Sequence, residues 1–249
     1  MRADQLLVER GLARSRSQAQ RLIASGVRWL DRGAWRPVAK NGDELPAEAP
    51  MELLDSAEAR YVSRGGLKLE GALRAAAIVV EGKTCLDVGQ STGGFTDCLL
   101  RHGAARVTGV DVGHGQLHAA LRADPRVAVV EQVNARELNA EQVGRDFDLI
   151  VGDLSFISLT LVLPALVPLL APAGALVMLV KPQFELQPGQ VGKRGIVRDA
   201  ALYVVVEKRL RDCCASLGLT VRGWYESSIA GGDGNREFFV YATKAGEAP

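Results

Sequence analysis

Four charged residues stand where a folded sheet would bring them to one edge: Lys68, Asp153, Lys181 and Glu237. Asp153 and Lys181 each end an apolar run that predicts a buried strand, and Glu237 begins another. Lys68 lies on a predicted helix ahead of the first of these strands. Taken singly, a charged residue at a strand end usually just reaches water. Together, two lysines and two carboxylates can shift the pKa of a lysine, and such a lysine can take a proton from a hydroxyl group.

A glycine-containing stretch, Thr84–Thr96, predicts a binding corner on the same sheet. It begins as a buried strand, turns through glycines and enters a helix near Phe95, which places a helix N-terminus beside a flexible turn. The next predicted strand, Arg106–Val112, carries Asp111 near its end, about 20 residues after the first glycine. A carboxylate at that place can accept hydrogen bonds from both hydroxyls of a ribose.

The details of the turn favour a cationic nucleoside. Ser91 stands where the dinucleotide fingerprint has its second glycine, and Asp87 would repel a pyrophosphate but attract a sulfonium or an ammonium. S-adenosylmethionine carries both cations and no phosphate. The alternative is an ordinary glycine turn without a ligand. The predicted donor-binding residues are Asp87, Gly89, Ser91, Gly93, Gly94, Phe95, Asp111, Val112, Asn134 and Asp153.

Strands and helices alternate after about residue 64, which predicts a doubly wound α/β sheet. A run without charge, Leu159–Val180, is long enough to suggest a membrane span, but three prolines interrupt it. We interpret it as a helix to about Leu170, a turn at Pro172–Gly174 and a buried strand from Ala175. The predicted strands are Thr84–Val88, Arg106–Asp111, Val127–Val130, Asp148–Asp153, Ala175–Lys181, Thr220–Ser227 and Glu237–Thr243.

The N-terminal region has a different character. Up to Lys40 it holds nine arginines and lysines against three acids, in a pattern of two short helices followed by a hairpin with two tryptophans. This predicts a basic surface that faces RNA, with Arg14, Arg16 and Arg21 as phosphate contacts. The alternative is a solvated helical face with tryptophans in the core.

The composition of the chain limits the class of protein and its cellular compartment. The chain is 47% hydrophobic and 24% charged with a net charge of +1, so a core can form and the overall charge points to no partner. The four cysteines form no C-x-x-C pair, which favours a reducing compartment and no metal. No signal peptide is visible, since a polar run follows Arg2 and Asp4. We therefore expect a cytoplasmic protein that does not enter membranes.

The glycine loop and the four charged residues, in the order lysine, aspartate, lysine, glutamate, resemble the FtsJ-like ribose 2′-O-methyltransferases. With the basic N-terminal pattern, the sequence Ser-Arg-Gly-Gly-Leu-Lys-Leu at 63–69 and the runs after Gly152 and Lys181, the chain is similar to the TlyA family, whose members are also labelled haemolysins. The resemblance implies an α/β class I methyltransferase with a seven-stranded Rossmann-like sheet. It also implies a small N-terminal α+β S4 RNA-binding domain.

That resemblance also implies a function. The predicted reaction is methyl transfer from S-adenosylmethionine to a ribose 2′-hydroxyl of cytidine in ribosomal RNA, with Lys68, Asp153, Lys181 and Glu237 as a catalytic tetrad and Lys181 as the base. The partners would be ribosomal RNA or ribosomal subunits, and the expected state is a monomer. The domains would span 1–58 and 64–249 with a linker at 59–63. The predicted RNA contacts are Arg14, Arg16, Arg21, Arg64, Lys193 and Arg194.

Three other readings stay open at this stage. A methyltransferase for base amino groups would carry two prolines in the run Asp153-Leu154-Ser155-Phe156, and none is present. A membrane-lytic protein would need a spanning or amphipathic segment, and an RNA-binding protein without catalysis would leave the four charged residues unexplained. We also predict that the glycine-rich, basic loop Glu185–Asp199 closes over the RNA strand beside the donor, the alternative being an unrelated flexible connection.

Overall fold

The chain folds into two compact units, Met1–Leu67 and Lys68–Pro249. The computed structural model describes residues 1–53, 60–192, 195–231 and 234–244, with the backbone alone at Ser25. The boundary falls inside the helix Arg64–Ala75, and most of the predicted linker is described. Tyr61, in that predicted linker, is buried, and its carbonyl accepts a hydrogen bond from the side chain of Gln18.

The N-terminal unit is a small α+β fold. Ser15 begins the second helix because its side chain accepts a hydrogen bond from the backbone of Gln18. The three strands form an antiparallel sheet in the order β2-β1-β3. Both helices and the inner face of the sheet bury apolar side chains such as Leu6, Leu22 and Val27. The elements are α1 (Ala3–Glu9), α2 (Arg16–Gly26), β1 (Val27–Asp31), β2 (Ala34–Pro37) and β3 (Met51–Leu53).

The larger unit is built around a mixed sheet of seven strands in the order β6-β5-β4-β7-β8-β10-β9. Its strands are parallel except for β10, which runs antiparallel to both β8 and β9. This confirms the predicted fold class. The elements are α3 (Arg64–Ala75), β4 (Thr84–Val88), α4 (Gly94–Arg101), β5 (Arg106–Asp111), α5 (Ala119–Arg122), β6 (Val127–Glu131), α6 (Ala140–Val143), β7 (Phe147–Gly152), α7 (Leu163–Leu166), β8 (Leu170–Val180), α8 (Pro182–Glu185), α9 (Ala201–Ser216), β9 (Leu219–Glu226) and β10 (Phe238–Lys244).

The prediction for the uncharged run Leu159–Val180 was wrong for its middle part, where a helix to about Leu170 and then a turn were expected. The helical part is only α7 and flanking 3-10 turns, and β8 already begins at Leu170. Pairing with β7 jumps from Leu170 opposite Phe147 to Ala175 opposite Leu149, so the proline-glycine segment between them forms a bulge within the strand. The apolar stretch from Leu176 to Val180 is buried between strands, as expected for the centre of a sheet.

Two glycines let the loop after β4 close against its neighbours. Gly89 has φ 86°, and a Cβ there would lie 2.6 Å from the backbone oxygen of Asp153. Gly93 has φ 95°, directly before α4, and a Cβ would lie 2.4 Å from a methyl group of Leu121. Both need the left-handed conformation and the absence of a side chain, which explains their place in the loop.

Candidate active site

Three adjacent strands bring predicted catalytic residues to one edge of the sheet. Asp153 follows β7, Lys181 follows β8, and Glu237 precedes β10. Because β8 runs parallel to β7 and antiparallel to β10, the end of β8 meets the end of β7 and the beginning of β10. The fourth residue, Lys68, reaches this edge from α3.

The four side chains form two ion pairs. Lys68 Nζ lies 2.5 Å from Glu237 Oε2, and both side chains are almost fully buried. Lys181 Nζ lies 2.6 Å from Asp153 Oδ1 and also donates to Ser155 Oγ at 2.9 Å. The structure therefore assembles all four predicted residues, and it divides them into a buried pair and a more accessible pair.

A cavity of about 500 Å³ lies beside the more accessible pair. This volume is in the range of small-molecule and cofactor sites. The cavity is lined by Asp153 and Ser155, whose side chains hold Lys181 Nζ. Lys68 and Glu237 do not line it. The lining residues are Gly89, Ser91, Val110, Asp111, Val112, Gln116, Val133, Asn134, Ala135, Asp153, Leu154, Ser155, Phe156 and Ile157.

Asp111 organises the wall of this cavity. Its Oδ2 accepts a hydrogen bond of 2.7 Å from the backbone N–H of Ser91, and its Oδ1 accepts one of the same length from Gly113. The carboxylate thus joins the glycine loop to the turn after β5. Each carboxylate oxygen has a second lone pair that can accept a bond from a ribose hydroxyl.

Six of the ten predicted donor-binding residues line the cavity, and the other four lie behind it. Gly93, Gly94 and Phe95 are buried at the start of α4, where Phe95 stacks on Phe239 at 6.2 Å between ring centroids. Asp87 is fully buried on β4. The side chains of Asp87 and Phe95 thus lie in the core, and Gly93 and Gly94 form the start of α4 without a side chain.

Asp87 is the most unusual of these residues. Its Oδ2 accepts a hydrogen bond of 2.7 Å from Thr96, whereas its Oδ1 has no partner among the described residues. The pKa of Asp87 is raised to about 7, chiefly by burial and also by the nearby carboxylates of Asp153 and Asp111, while the bond from Thr96 opposes the shift.

The burial of Asp87 predicts how the stability of the folded protein depends on pH. The pKa of Asp87 is higher in the folded protein than in the unfolded chain, so ionisation favours unfolding increasingly from about pH 4 to about pH 7. Asp87→Asn removes that titration. The Tm of the variant minus that of the parent should therefore rise across this interval and level off above it. Thermal unfolding without ligand measures it, and a pH-independent difference would contradict the assignment.

The run after β7 holds two residues to which the sequence assigned no role. Ser155 contacts Lys181, and Phe156 is 90% exposed at the cavity with φ 64°, a left-handed conformation that is rare for a large side chain. The Phe156 ring rests against Phe184 at 5.0 Å. An exposed aromatic ring can stack on a nucleobase. The sequence shows that a serine and a phenylalanine follow Asp153 and Leu154. The exposure of Phe156 and its φ angle depend on the fold and could not be predicted from that sequence.

A buried glutamate anchors this same segment. Glu185 accepts hydrogen bonds from the Ser158 hydroxyl at 2.5 Å and from the backbone of Leu159 at 2.7 Å. Burial raises the pKa of Glu185, against the effect of these bonds. The carboxylate ties the segment after β7 to α8, which follows Lys181 directly. The sequence offered no signal for this role.

The loop Glu185–Asp199 is tied down near its end. Asn235 is buried, its amide donates to the carbonyl of Gly195 at 2.9 Å, and its oxygen accepts from the backbone of Val197 at 3.0 Å. Tyr203 also donates to the carbonyl of Val197 at 3.0 Å. Two predicted RNA contacts in this loop, Lys193 and Arg194, lie outside the described residues.

The predicted arginines of the N-terminal unit have different surroundings. Arg16 is tied to the buried carboxylate of Asp4 at 3.0 Å, and Arg21 donates to the carbonyl of Ser17. Arg14 is exposed just before α2, and Arg64 begins α3. The pKa of Asp4 lies below its usual range because Arg2 and Arg16 bond to it. Arg16 therefore has a structural contact in addition to any role with RNA.

The described parts of the chain offer no site of two other classes. No group of histidine, cysteine and acidic side chains there could hold a metal ion. None of the helices in those parts combines the length and the apolar character that crossing a membrane requires. The four cysteines are free thiols.

Comparison with solved structures defines the class of the larger unit. An S-adenosylmethionine-dependent methyltransferase from Mesorhizobium loti superposes with a TM-score of 0.52 at 18% identity, over 70% of this chain and 96% of that chain. At this identity the likeness concerns the fold alone. The sheet order and this match define a class I methyltransferase fold.

Closer relatives define the family. The model for FtsJ-like methyltransferases matches residues 61–244. The 16S/23S rRNA (cytidine-2′-O)-methyltransferase TlyA of Mycobacterium tuberculosis is 46% identical over 96% of this chain and 88% of its own length. The solved structure of a proposed hemolysin from Streptococcus thermophilus is 39% identical in sequence to this chain. The two superpose with a TM-score of 0.77 over 99% of this chain and 89% of that chain. The chain belongs to the TlyA family of FtsJ-like methyltransferases.

Proposed function

We propose that this protein transfers a methyl group from S-adenosylmethionine to the 2′-hydroxyl of a cytidine ribose in ribosomal RNA. The observation that carries the proposal is the position of Lys181. Its Nζ is held by Asp153 and Ser155, and both of these residues line the cavity that Asp111 organises. A proton acceptor beside a nucleoside-sized cavity suits transfer to a hydroxyl group. The reaction agrees with that named for the relative from M. tuberculosis.

The residues around the cavity fit the methyl donor. Asp111 offers a carboxylate for the two ribose hydroxyls, and the exposed side chain of Val112 offers an apolar surface for the adenine ring. Asp153 on the cavity wall supplies negative charge toward the cationic end of the donor. When bound, S-adenosylmethionine supplies an electrophilic methyl group.

The residues of the chain then have distinct roles. In its uncharged form, Lys181 accepts the proton of the ribose 2′-hydroxyl, and Asp153 and Ser155 hold its amine in place. Lys68 and Glu237 neutralise each other, so they support the site as a buried, fixed pair. Removal of one partner of such a pair leaves a buried charge without compensation, which is costly. Both residues are therefore expected to position the reacting groups.

The partners follow from the substrate. We assign RNA binding of the S4 type to the N-terminal region 1–58, with Arg14, Arg16 and Arg21 as phosphate contacts, and methyl transfer to 64–249. Arg64 and the loop residues Lys193 and Arg194 are further proposed contacts. Intact ribosomal subunits are the proposed physiological substrates, the protein acts as a monomer, and its site of action is the cytoplasm, where ribosomes are assembled.

Product analysis tests the reaction. The full chain is incubated with methyl-labelled S-adenosylmethionine and ribosomal RNA or subunits from a strain that lacks the enzyme, and the RNA is digested to nucleosides. Label is expected in 2′-O-methylcytidine. Label on a base amino group would favour the amino-methyltransferase alternative. Absence of transfer to any RNA or subunit preparation, with donor binding intact, would overturn the proposed function.

A further inference from the structure

The three-stranded sheet of the N-terminal unit has one face that its core does not use. Residues alternate between the two faces of a strand. Val27 and Trp29 of β1 pack toward the core with Met51 and Leu53 of β3, which lie opposite them. The opposite face therefore presents the other set, which consists of Arg28, Leu30, Trp35, Pro37 and Glu52.

Trp35 stands out on this outer face. It lies on β2, the edge strand, in which every residue is exposed, and 43% of its own surface is open to solvent. Trp29 packs against the core of this unit from the inner face, and Trp35 does not belong to that core. Tryptophan is enriched at contact sites, because its ring combines a large apolar surface with one polar N–H group.

The surroundings of Trp35 define what it can bind. The Arg28 guanidinium lies 4.9 Å from the centre of the Trp35 ring, and Glu52 holds that guanidinium at 2.7 Å. This geometry is a cation–π contact that fixes the orientation of both side chains. Unpaired nucleobases stack on aromatic rings such as that of tryptophan and on the planar guanidinium of arginine.

The charge of the hairpin points to the same ligand. Its eleven residues from Val27 to Pro37 include three arginines and one aspartate. Arg36 pairs with that aspartate, Asp31, at 2.9 Å, whereas Arg32 is exposed at the tip of the hairpin. Elsewhere in the unit, Arg10 bonds to the backbone carbonyls of Ala47 and Ala49 and thus has a structural contact. The hairpin therefore combines an exposed aromatic ring, Trp35, with an exposed arginine, Arg32.

We infer that the outer face of the β1–β2 hairpin, centred on Trp35, binds an unpaired nucleotide of the ribosomal RNA substrate. The base stacks on the Trp35 ring, and Arg32 contacts an adjoining phosphate. This inference rests on the proposed function, since it assigns a second contact for the same RNA. It also differs from the arginine contacts near α2, because stacking recognises single-stranded RNA and a purely ionic surface does not distinguish it from a duplex.

Salt dependence separates stacking from charge. Binding of the full chain to a short fluorescein-labelled oligouridylate strand is measured by anisotropy over a series of salt concentrations. Trp35→Ala should weaken binding about 5- to 150-fold, the loss expected for one stacked base, and should leave the log-log salt slope unchanged. Trp35→Phe should retain most of the affinity. Arg32→Gln should instead reduce the slope, by about 0.7 for one phosphate contact to single-stranded RNA.

Several outcomes would overturn the inference. Unchanged affinity of Trp35→Ala, or a loss shared equally by a blunt RNA duplex, excludes stacking. A concentration-dependent dimer in sedimentation that Trp35→Ala abolishes, with RNA affinity unchanged, would make this face a contact between two copies. Thermal unfolding checks that the variant is folded. If the parent methylates ribosomal RNA and Trp35→Ala does so with an unchanged KM, only the inference fails; if the parent transfers no methyl group to any RNA, the proposed function fails.

Discussion

Lys181→Ala is expected to lower kcat for methyl transfer by about 10²–10⁴-fold, the usual contribution of a positioned general base. Donor affinity should change little, because Lys181 does not line the cavity, although its partners Asp153 and Ser155 do. Single-turnover kinetics with saturating RNA measures the chemical step, and calorimetry measures donor binding. The matched control is Lys208→Ala, an exposed lysine that pairs with Asp212 on α9 and should leave turnover unchanged.

The arginine variant decides what Lys181 does. Lys181→Arg keeps a positive charge near Asp153, but a guanidinium stays protonated and cannot accept a proton. If Lys181 is the base, this variant is as inactive as the alanine variant at neutral pH. If Lys181 only anchors a phosphate, arginine retains much of the activity, and substantial turnover would therefore exclude lysine as the base.

Asp111→Ala is expected to weaken S-adenosylmethionine binding by at least about 100-fold. The variant loses the acceptor for the ribose hydroxyls, and each hydrogen bond to a charged group contributes about 1.5–3 kcal/mol. It also releases the backbone of Ser91 and Gly113, which the carboxylate holds at 2.7 Å each. Both effects remove a preformed wall of the donor cavity.

Calorimetry with S-adenosylmethionine and S-adenosylhomocysteine measures this effect. Both ligands should lose affinity to a similar degree, because they share the ribose. Asp212→Ala, which removes an exposed aspartate of α9, is the control and should bind both normally. Unchanged affinity of Asp111→Ala, or tighter binding of NAD than of the methyl donor by the parent, would exclude the assignment of this cavity to the methyl donor.

Much of the fold could be predicted because its signals are local. The strands Thr84–Val88 and Arg106–Asp111 have the predicted bounds, since an apolar run that ends in a turn or a charge reports a buried strand directly. The uncharged run before Lys181 was misjudged at Pro172–Gly174. Proline and glycine there signal a turn, but pairing with β7 on both sides keeps the segment within β8 as a bulge.

Only part of the candidate site could be predicted from the sequence. The order of parallel strands brings Asp153 and Lys181 together wherever such a sheet forms, so their ion pair follows from the pattern. The burial of Asp87 does not follow from the sequence pattern. Whether a carboxylate near the end of a strand faces a cavity or the core depends on the elements packed around it, and here Asp87 is fully buried and bonded to Thr96 of α4.

The sequence by itself determined the fold class, the type of donor and the four charged residues, of which three lie at strand ends and Lys68 lies on α3. Spacing along a strand, along a helix or after a glycine turn is a local property. The tertiary structure alone decided that Lys181, and not Lys68, lies beside the cavity, since Lys68 is paired with a residue 169 positions away. It likewise committed Arg16 to Asp4 and left Trp35 open. Burial and pairing are set by contacts between distant segments, and no local pattern encodes which side chain such a contact covers.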